Sequence, residues 1–380
     1  MRKVSIIQRE IPHYRIRFFE ELYAQGSLED LDIRVYTGSP PAGGSSTTAF
    51  PYQVLPVRHF GRKKSSSYWM SALEQAIAGS DIVVAPQELQ CLTVPYLWAK
   101  RRRICKSWIW WGHGYNFQAS VHPSAQTKVK EAIKHIMTRR ADGLITYTEG
   151  GADYWRKRGL PESRVIPYYN TIDVVGLRKA GAGITGDQLI ALRSKLGLEG
   201  KRVLLFSGRL YAEKKVDFLL KAFDLLKNFC PRVALLIIGD GEERRKLEQL
   251  VVQLNLRDVH FLGELVDPKE TAAYFSLADL MVLPSLVGLA IVHGFSFGLP
   301  LITTDSPGHG PELDYLSGDN GVMTRYDIPQ YVEAIVVLLS FPQRLEAMKQ
   351  AAMAQGDELG LAHSARRFVD GIQSFAVQNN

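Results

Sequence analysis

Strand-like apolar runs and helix-periodic segments take turns along this chain. In the first half Val4 to Gln8, Ile33 to Thr37, Ile82 to Ala85, Trp108 to Trp111, Leu144 to Tyr147 and Val165 to Pro167 read as strands. Between them Arg15 to Gln25, Tyr68 to Ala78, Thr93 to Arg102, Lys128 to Arg139 and Gly150 to Arg158 carry apolar residues at helical spacing. Such alternation predicts a parallel sheet with helices on both faces, because a parallel strand needs a long crossover to return. Val174 to Gly186, rich in Gly and Ala, breaks the rhythm and reads as a linker. The pattern restarts at Lys201, with strands at Val203 to Phe206, Ala234 to Ile238, Val259 to Leu262, Leu280 to Leu283 and Leu301 to Thr303. Helices are expected at Val216 to Phe229, Glu243 to Leu254, Lys269 to Phe275 and Val292 to Phe297, and helical spacing dominates from Gln330 onwards. The expected fold class is α/β, two doubly wound Rossmann-like domains facing each other across a cleft. Residues 1–175 form the first, 176–200 a linker, 201–340 the second, and 341–380 are helices packing back towards the first.

The turn after Val203 to Phe206 draws attention first. In an open α/β sheet, ligands gather where strand ends and helix N-termini converge. Gly208 lets a ligand approach the backbone there, and Arg209 and Lys214 bring two cations to one mouth. A guanidinium grips phosphate with two parallel bonds and an ammonium acts as a movable point charge, so the pair suits a diphosphate. An ordinary strand-to-helix turn with two solvated cations fits this segment alone equally well.

Composition narrows the class. A chain of 380 residues, 46% hydrophobic and 22% charged, is a soluble globular protein of two or three domains. Val4 to Ile7 is too short an apolar run for a secretory signal, and Leu280 to Val292 is interrupted and too short for a membrane span, so a cytoplasmic chain is expected. Three cysteines without a C-x-x-C pair indicate neither a disulfide framework nor a zinc site. The net charge of +7 is unevenly shared: residues 1–175 hold 24 Lys and Arg against 15 Asp and Glu, the remainder 22 against 24. Arg62 to Lys64 and Lys100 to Arg103 supply much of the excess, which suggests an anionic partner such as a lipid surface or a lipid-linked diphosphate, or else serves solubility.

Several motifs, in order, then resemble the family 4 glycosyltransferases of the GT-B fold. They are S-G-R-L-x-x-x-K from Ser207, L-I-I-G-D-G-E-E-R-x-x-L-E from Leu236, V-H-F-L-G from Val259, A-D-L-M-V-L-P-S from Ala278, G-L-P-L-I-T-T-D from Gly298 and G-P-E from Gly310. Upstream, V-I-P-Y-Y-N-T-I-D from Val165 and W-G-H-G from Trp111 are similar to the end of that family's first domain and to its strand-end histidine. The resemblance implies that Arg209 and Lys214 neutralise a departing nucleoside diphosphate without a metal, and that His113 serves the donor sugar. It places Gly208, Gly239, Leu265, Gly288, Leu289, Ala290, Ile291, His293 and Glu312 on the donor side, with His309 near them. Asp240, beside Gly239, reads as a helix cap.

The chain departs from the pattern after Pro284-Ser285. The family usually carries two glutamates with seven residues between them; here His293 stands in the place of the second, the first is missing with Val287 nearest, and the loop is about three residues shorter. Backbone N–H groups near Gly288 to Ile291 are still expected to cradle phosphate, with altered donor recognition. On the acceptor side the expectation names His13 and Arg15, which follow the first strand, and Glu149, which follows a later one. The alternatives are a Pro-led turn at Pro12 and a helix-start acid. Asp30-Leu31-Asp32 has metal-motif spacing but precedes a strand and reads as a solvated turn.

The expected function is a retaining transfer of sugar from a nucleotide-diphosphate sugar to a hydroxyl acceptor, a lipid-linked saccharide of bacterial surface polysaccharide, with peripheral contact to an anionic membrane. No metal, further cofactor or nucleic-acid partner is expected. Two rivals stand beside it: a GT-B nucleotide-sugar epimerase, and a degenerate transferase kept as a partner subunit.

Overall fold

The computed structural model describes residues 1–41, 48–61, 67–115 and 125–377, and the cluster Arg62 to Lys64 lies outside them. The chain divides into two units, Met1–Ile172 with Leu361–Asn380, and Asp173–Gly360.

In the first unit the strands are β1 (Arg2–Gln8), β2 (Leu31–Thr37), β3 (Tyr52–Val54), β4 (Val57–Phe60), β5 (Ser67–Met70), β6 (Ile82–Pro86), β7 (Ser107–Gly112), β8 (Gly143–Thr146) and β9 (Val165–Pro167). Seven of them form one parallel sheet, in the order β3-β2-β1-β6-β7-β8-β9. In the second unit β10 (Arg202–Ser207), β11 (Val233–Ile238), β12 (Val259–Gly263), β13 (Leu280–Val282), β14 (Leu301–Thr304) and β15 (Gly321–Thr324) form another, in the order β12-β11-β10-β13-β14-β15. The central strands are covered on both faces, so they read as unbroken apolar runs: Val203 to Phe206 is fully buried, and so is all of β11. Each sheet reverses its strand order once, between β1 and β6 and between β10 and β13. Strand ends diverge there and leave a crevice.

Three expectations need correction. Ser67 to Met70 is a strand, not the start of a helix, and it pairs antiparallel with β4; Tyr68 and Met70 are buried and alternate with half-exposed neighbours, a period of two. The stretch 176–200 is not a linker. It holds helices at Val174–Ala182 and Gly186–Lys195, the first capped by Asp173, whose side chain accepts from the Gly176 N–H, and the second by a Thr185/Gln188 capping box. Its small residues permit close packing, since a β-carbon at Gly181 would lie 2.9 Å from the Phe297 ring. The C-terminal helices separate: Pro342–Glu358 belongs to the second unit and Leu361–Val377 to the first. There Phe368 meets Trp111 at 4.9 Å, Tyr168 at 5.4 Å and Phe18 at 5.7 Å between ring centroids.

Candidate functional site

The second unit gathers its chemistry at the β10/β13 reversal. After β10 the chain passes Gly208 and a single helical turn, Ala212–Lys214, which ends on Lys215 in the left-handed region (φ 55°). That reversal sends the Lys214 side chain inward, where only 7% of the residue is exposed, a rare state for a lysine. Its ammonium donates to the Leu286 carbonyl at 2.5 Å, and Glu312, 4% exposed, supplies the opposite charge. Burial outweighs Glu312 and lowers the Lys214 pKa to about 8. Gly208 holds φ +153°, which residues with a β-carbon rarely adopt, and the end of the Lys214 side chain passes beside it, 3.5 Å at Nζ from where a β-carbon would sit.

The shortened loop after β13 is held by a buried polar network. Thr304 Oγ1 donates to the Pro284 carbonyl at 2.6 Å, and the Ser285 and Ser306 hydroxyls bond at 3.0 Å. His309 donates from Nε2 to the Thr304 carbonyl at 2.8 Å and accepts at Nδ1 from the Val287 N–H at 3.4 Å. Only a neutral imidazole satisfies both bonds, and burial lowers its pKa accordingly, with Lys214 adding to the effect. Leu286 (φ 48°) and Gly288 (φ 55°) make the tight turn that aims the Leu286 carbonyl at the ammonium. Gly288 approaches Gly310, and a β-carbon on Gly310 would meet the Glu312 carboxylate at 2.9 Å. Lys214, Gly208, Gly288, His309 and Glu312 therefore form one cluster.

Other expected donor residues are placed differently. Arg209 extends into solvent and approaches Glu242 at 3.9 Å, with no buried acceptor among the described residues to draw it inward as Leu286 draws Lys214. His293 lies in the seven-residue helix Ala290–Ser296 and packs against Phe275, with ring centroids 5.8 Å apart. Ile291 is wholly buried, and its N–H donates to the Gly288 carbonyl at 3.4 Å, so neither its side chain nor its amide is offered to a phosphate. Leu289 and Ala290 are half-buried at that helix start, and Leu265 is half-buried in the loop after β12. Gly239 abuts Gly208, whose carbonyl would lie 2.1 Å from a β-carbon at 239; the contact joins the ends of β10 and β11. Asp240 accepts from the Gly241 N–H and pairs with Arg244.

In the first unit, the ends of β1, β7 and β8 converge. Arg15 donates to Gln8 at 3.2 Å and to the Tyr147 hydroxyl, and its guanidinium lies 5.1 Å from the Trp111 ring and 5.2 Å from the Tyr147 ring. Its Nε is buried without a hydrogen-bond partner among the described residues. His113 stacks on Tyr147 at 4.3 Å; solvent reaches the ring while protein crowds it. That crowding, then the charges of Arg15 and Lys134, lowers its pKa to about 4. His113 is thus a neutral hydrogen-bonding group at pH 7 and not a cation. Gly114 (φ 90°) lets the turn press against Gly151, 2.6 Å from where a β-carbon would sit. Glu149 is engaged by Arg156 and accepts from the Tyr169 hydroxyl at 3.3 Å, while His13 is exposed and meets the edge of the Tyr14 ring. Arg15 and His113 are brought together; Glu149 and His13 are not part of that contact. Tyr147, which joins the pair, and the Leu286 carbonyl escaped the sequence reading. Tyr147 carries a signal as the aromatic residue just past β8 and two positions before Glu149, whereas a backbone carbonyl carries none.

Residues 201–340 match the family model described as glycosyl transferases group 1. An uncharacterized glycosyltransferase of Haemophilus influenzae is 22% identical over 67% of this chain and 65% of its own length. Alpha-monoglucosyldiacylglycerol synthase of Streptococcus pneumoniae is 32% identical over 38% of this chain and 33% of its own. The chain therefore spans from a third to just under two thirds of these curated relatives. The solved structure of Anabaena HepE in complex with UDP superposes with a TM-score of 0.75 at 17% identity, covering 98% of this chain and all of that one. Residues 201–340 are thus similar to the group 1 glycosyl transferases, and the chain as a whole shares the fold of HepE.

Proposed function

We propose that this chain is a glycosyltransferase that moves a sugar from a nucleotide-diphosphate sugar to a hydroxyl acceptor with retention at the anomeric carbon. The observation that carries the reading is the desolvated Lys214 ammonium at the end of β10, flanked by Gly208 and facing Glu312. A diphosphate that displaces its contact with the Leu286 carbonyl meets a cation that water no longer screens. In the transfer the bond from the anomeric carbon to the β-phosphate oxygen breaks and one to the acceptor oxygen forms on the same face. The departing phosphate takes the acceptor's proton, and the diphosphate's new charge is met by Lys214, with Arg209 free to swing in from solvent. No metal or other cofactor is needed in this scheme. Neutral His113, beside Arg15, is suited to hydrogen-bond a sugar hydroxyl. The UDP held by HepE supports a nucleotide-sugar donor, and the diacylglycerol named in the pneumococcal relative supports a lipid hydroxyl as acceptor, of which a lipid-linked saccharide is one form, in bacterial glycoconjugate synthesis.

The test begins with uridine, guanosine and thymidine diphosphate sugars. The matching donor, at 100 times its dissociation constant, should stabilise the fold by ~2.7 kcal/mol in thermal unfolding. That donor should then yield glycosylated product only when lipid-linked acceptor is present. Epimerised sugar nucleotide without acceptor, or no nucleotide release with any donor, overturns the reading.

A pH dependence follows from the lysine. Its ammonium is present below about pH 8 and lost above it, so kcat/KM should fall as pH rises through about 8. Bound diphosphate favours the charged form, and the corresponding limb in kcat should lie at higher pH. Stability moves the other way. Between about pH 8 and the ordinary lysine value of 10.5 the unfolded chain holds a proton that the folded chain has released, so this group's contribution to stability rises with pH there. A kcat/KM profile flat from pH 7 to 9.5 would remove Lys214 from the chemistry.

A further inference from the structure

The helix Ala125–Arg139 turns two unlike faces to its surroundings. Its inner face is fixed to the first unit: Met137 and Thr138 are buried, Thr138 Oγ1 accepts from Gln87 at 2.9 Å, and the Met137 carbonyl accepts from the Trp110 indole at 3.3 Å. Its outer face carries Val129, Ile133 and Ile136, exposed to 59%, 43% and 52%. Positions 129, 133 and 136 fall on one stripe of a helix, so these aliphatic side chains form a continuous ridge. A globular surface scatters its exposed aliphatics singly, whereas a grouped stripe marks a docking surface.

The charges around the ridge identify the occupant. Lys128, Lys130, Arg139 and Arg140 are all exposed on or just beyond this helix. Arg101 donates to the Arg140 carbonyl at 3.3 Å, which brings exposed Arg102 and Arg103 close to the same end. Lys100, by contrast, is engaged by Glu74 and Tyr96, so the basic run after the preceding helix is only partly available. The sole acid in the helix, Glu131, is half-buried. An aliphatic ridge edged by cations on the outer side of an anchored helix matches a helix lying in the headgroup layer of an anionic bilayer.

We infer that the Val129–Ile133–Ile136 ridge and its flanking cations seat the first unit on a membrane surface of anionic lipid. Both components are needed: the aliphatic ridge alone is short, and the cations alone would bind in a purely salt-sensitive manner.

Sedimentation of the full chain with vesicles tests this. The wild-type chain should bind phosphatidylglycerol–phosphatidylcholine vesicles at least tenfold more tightly than pure phosphatidylcholine vesicles. Ile133→Glu with Ile136→Glu should weaken binding to the anionic vesicles at least tenfold, and Lys128→Glu with Arg140→Glu should abolish the preference for anionic lipid. Because these side chains project outward, the unfolding temperature and the donor-induced stabilisation should stay unchanged. Val129→Ser with Ile133→Ser repeats the test if the glutamate pair lowers the unfolding temperature. Vesicle binding unaffected by the ridge substitutions, or no vesicle binding at all, overturns the inference. So does self-association in sedimentation velocity that the ridge substitutions remove without any effect on vesicles. The outcome is independent of sugar transfer, since donor stabilisation and turnover on a detergent-dispersed acceptor report on that separately.

Discussion

Lys214→Ala is expected to lower turnover by ~10² to 10³ while the protein stays folded. A cation 4 Å from a phosphate oxygen, at an effective dielectric near 20, is worth ~4 kcal/mol, and this is the order of effect a preorganised charge supplies in a transition state. The lysine is preorganised at a cost. Its pKa is lowered to about 8, so the folded chain holds the charge less willingly than the unfolded chain does. Removing the charge should therefore cost far more in activity than in folding. Lys214→Met keeps the apolar stem beside Gly208 and should fold, though less stably because Glu312 and the Leu286 carbonyl lose the ammonium, and it should be as inactive as the alanine variant. Turnover within threefold of wild type in soluble Lys214→Met would end the assignment of this lysine to the leaving group.

Phe368→Ala is expected to destabilise the first unit by ~3 to 5 kcal/mol. Phe368 is fully buried among Phe18, Trp111 and Tyr168, where no rearrangement of a smaller residue fills the space of its ring. The helix that carries it lies against the helix His13–Leu28 and is tied by Arg366 and Gln373 to Glu29 at 2.6 and 3.0 Å. For a unit of this size each kcal/mol moves the unfolding midpoint by ~2 to 4 °C, so a fall of roughly 6 to 20 °C is expected in a thermal scan. Activity should decline as well. Trp111 underlies Arg15 and precedes His113, and a cavity on its far side loosens the floor beneath both. An unfolding midpoint within 2 °C of wild type would show that the last helix contributes little to this unit.

The sequence by itself determined the local periods. Val203 to Phe206 and β11 could be read as central parallel strands because burial on both faces leaves an unbroken apolar run, and the long crossovers between such runs dictate a doubly wound sheet. It also carried the resemblance to glycosyl transferases, through short motifs placed at strand ends, and the choice of Arg209 and Lys214 as cations at one turn. Tertiary structure decided which of those two turns inward. Lys214 is drawn by the Leu286 carbonyl and Glu312, 72 and 98 positions further along, and among the described residues no such partner draws Arg209. It likewise decided that Gly181 serves close packing and not a flexible linker, and that the last helix returns to the first unit. The division has a physical cause: periodicity records whether a residue is buried, a property each segment carries in its own pattern. Which groups meet in the interior depends on the order of strands, and on backbone carbonyls that have no letter in the sequence.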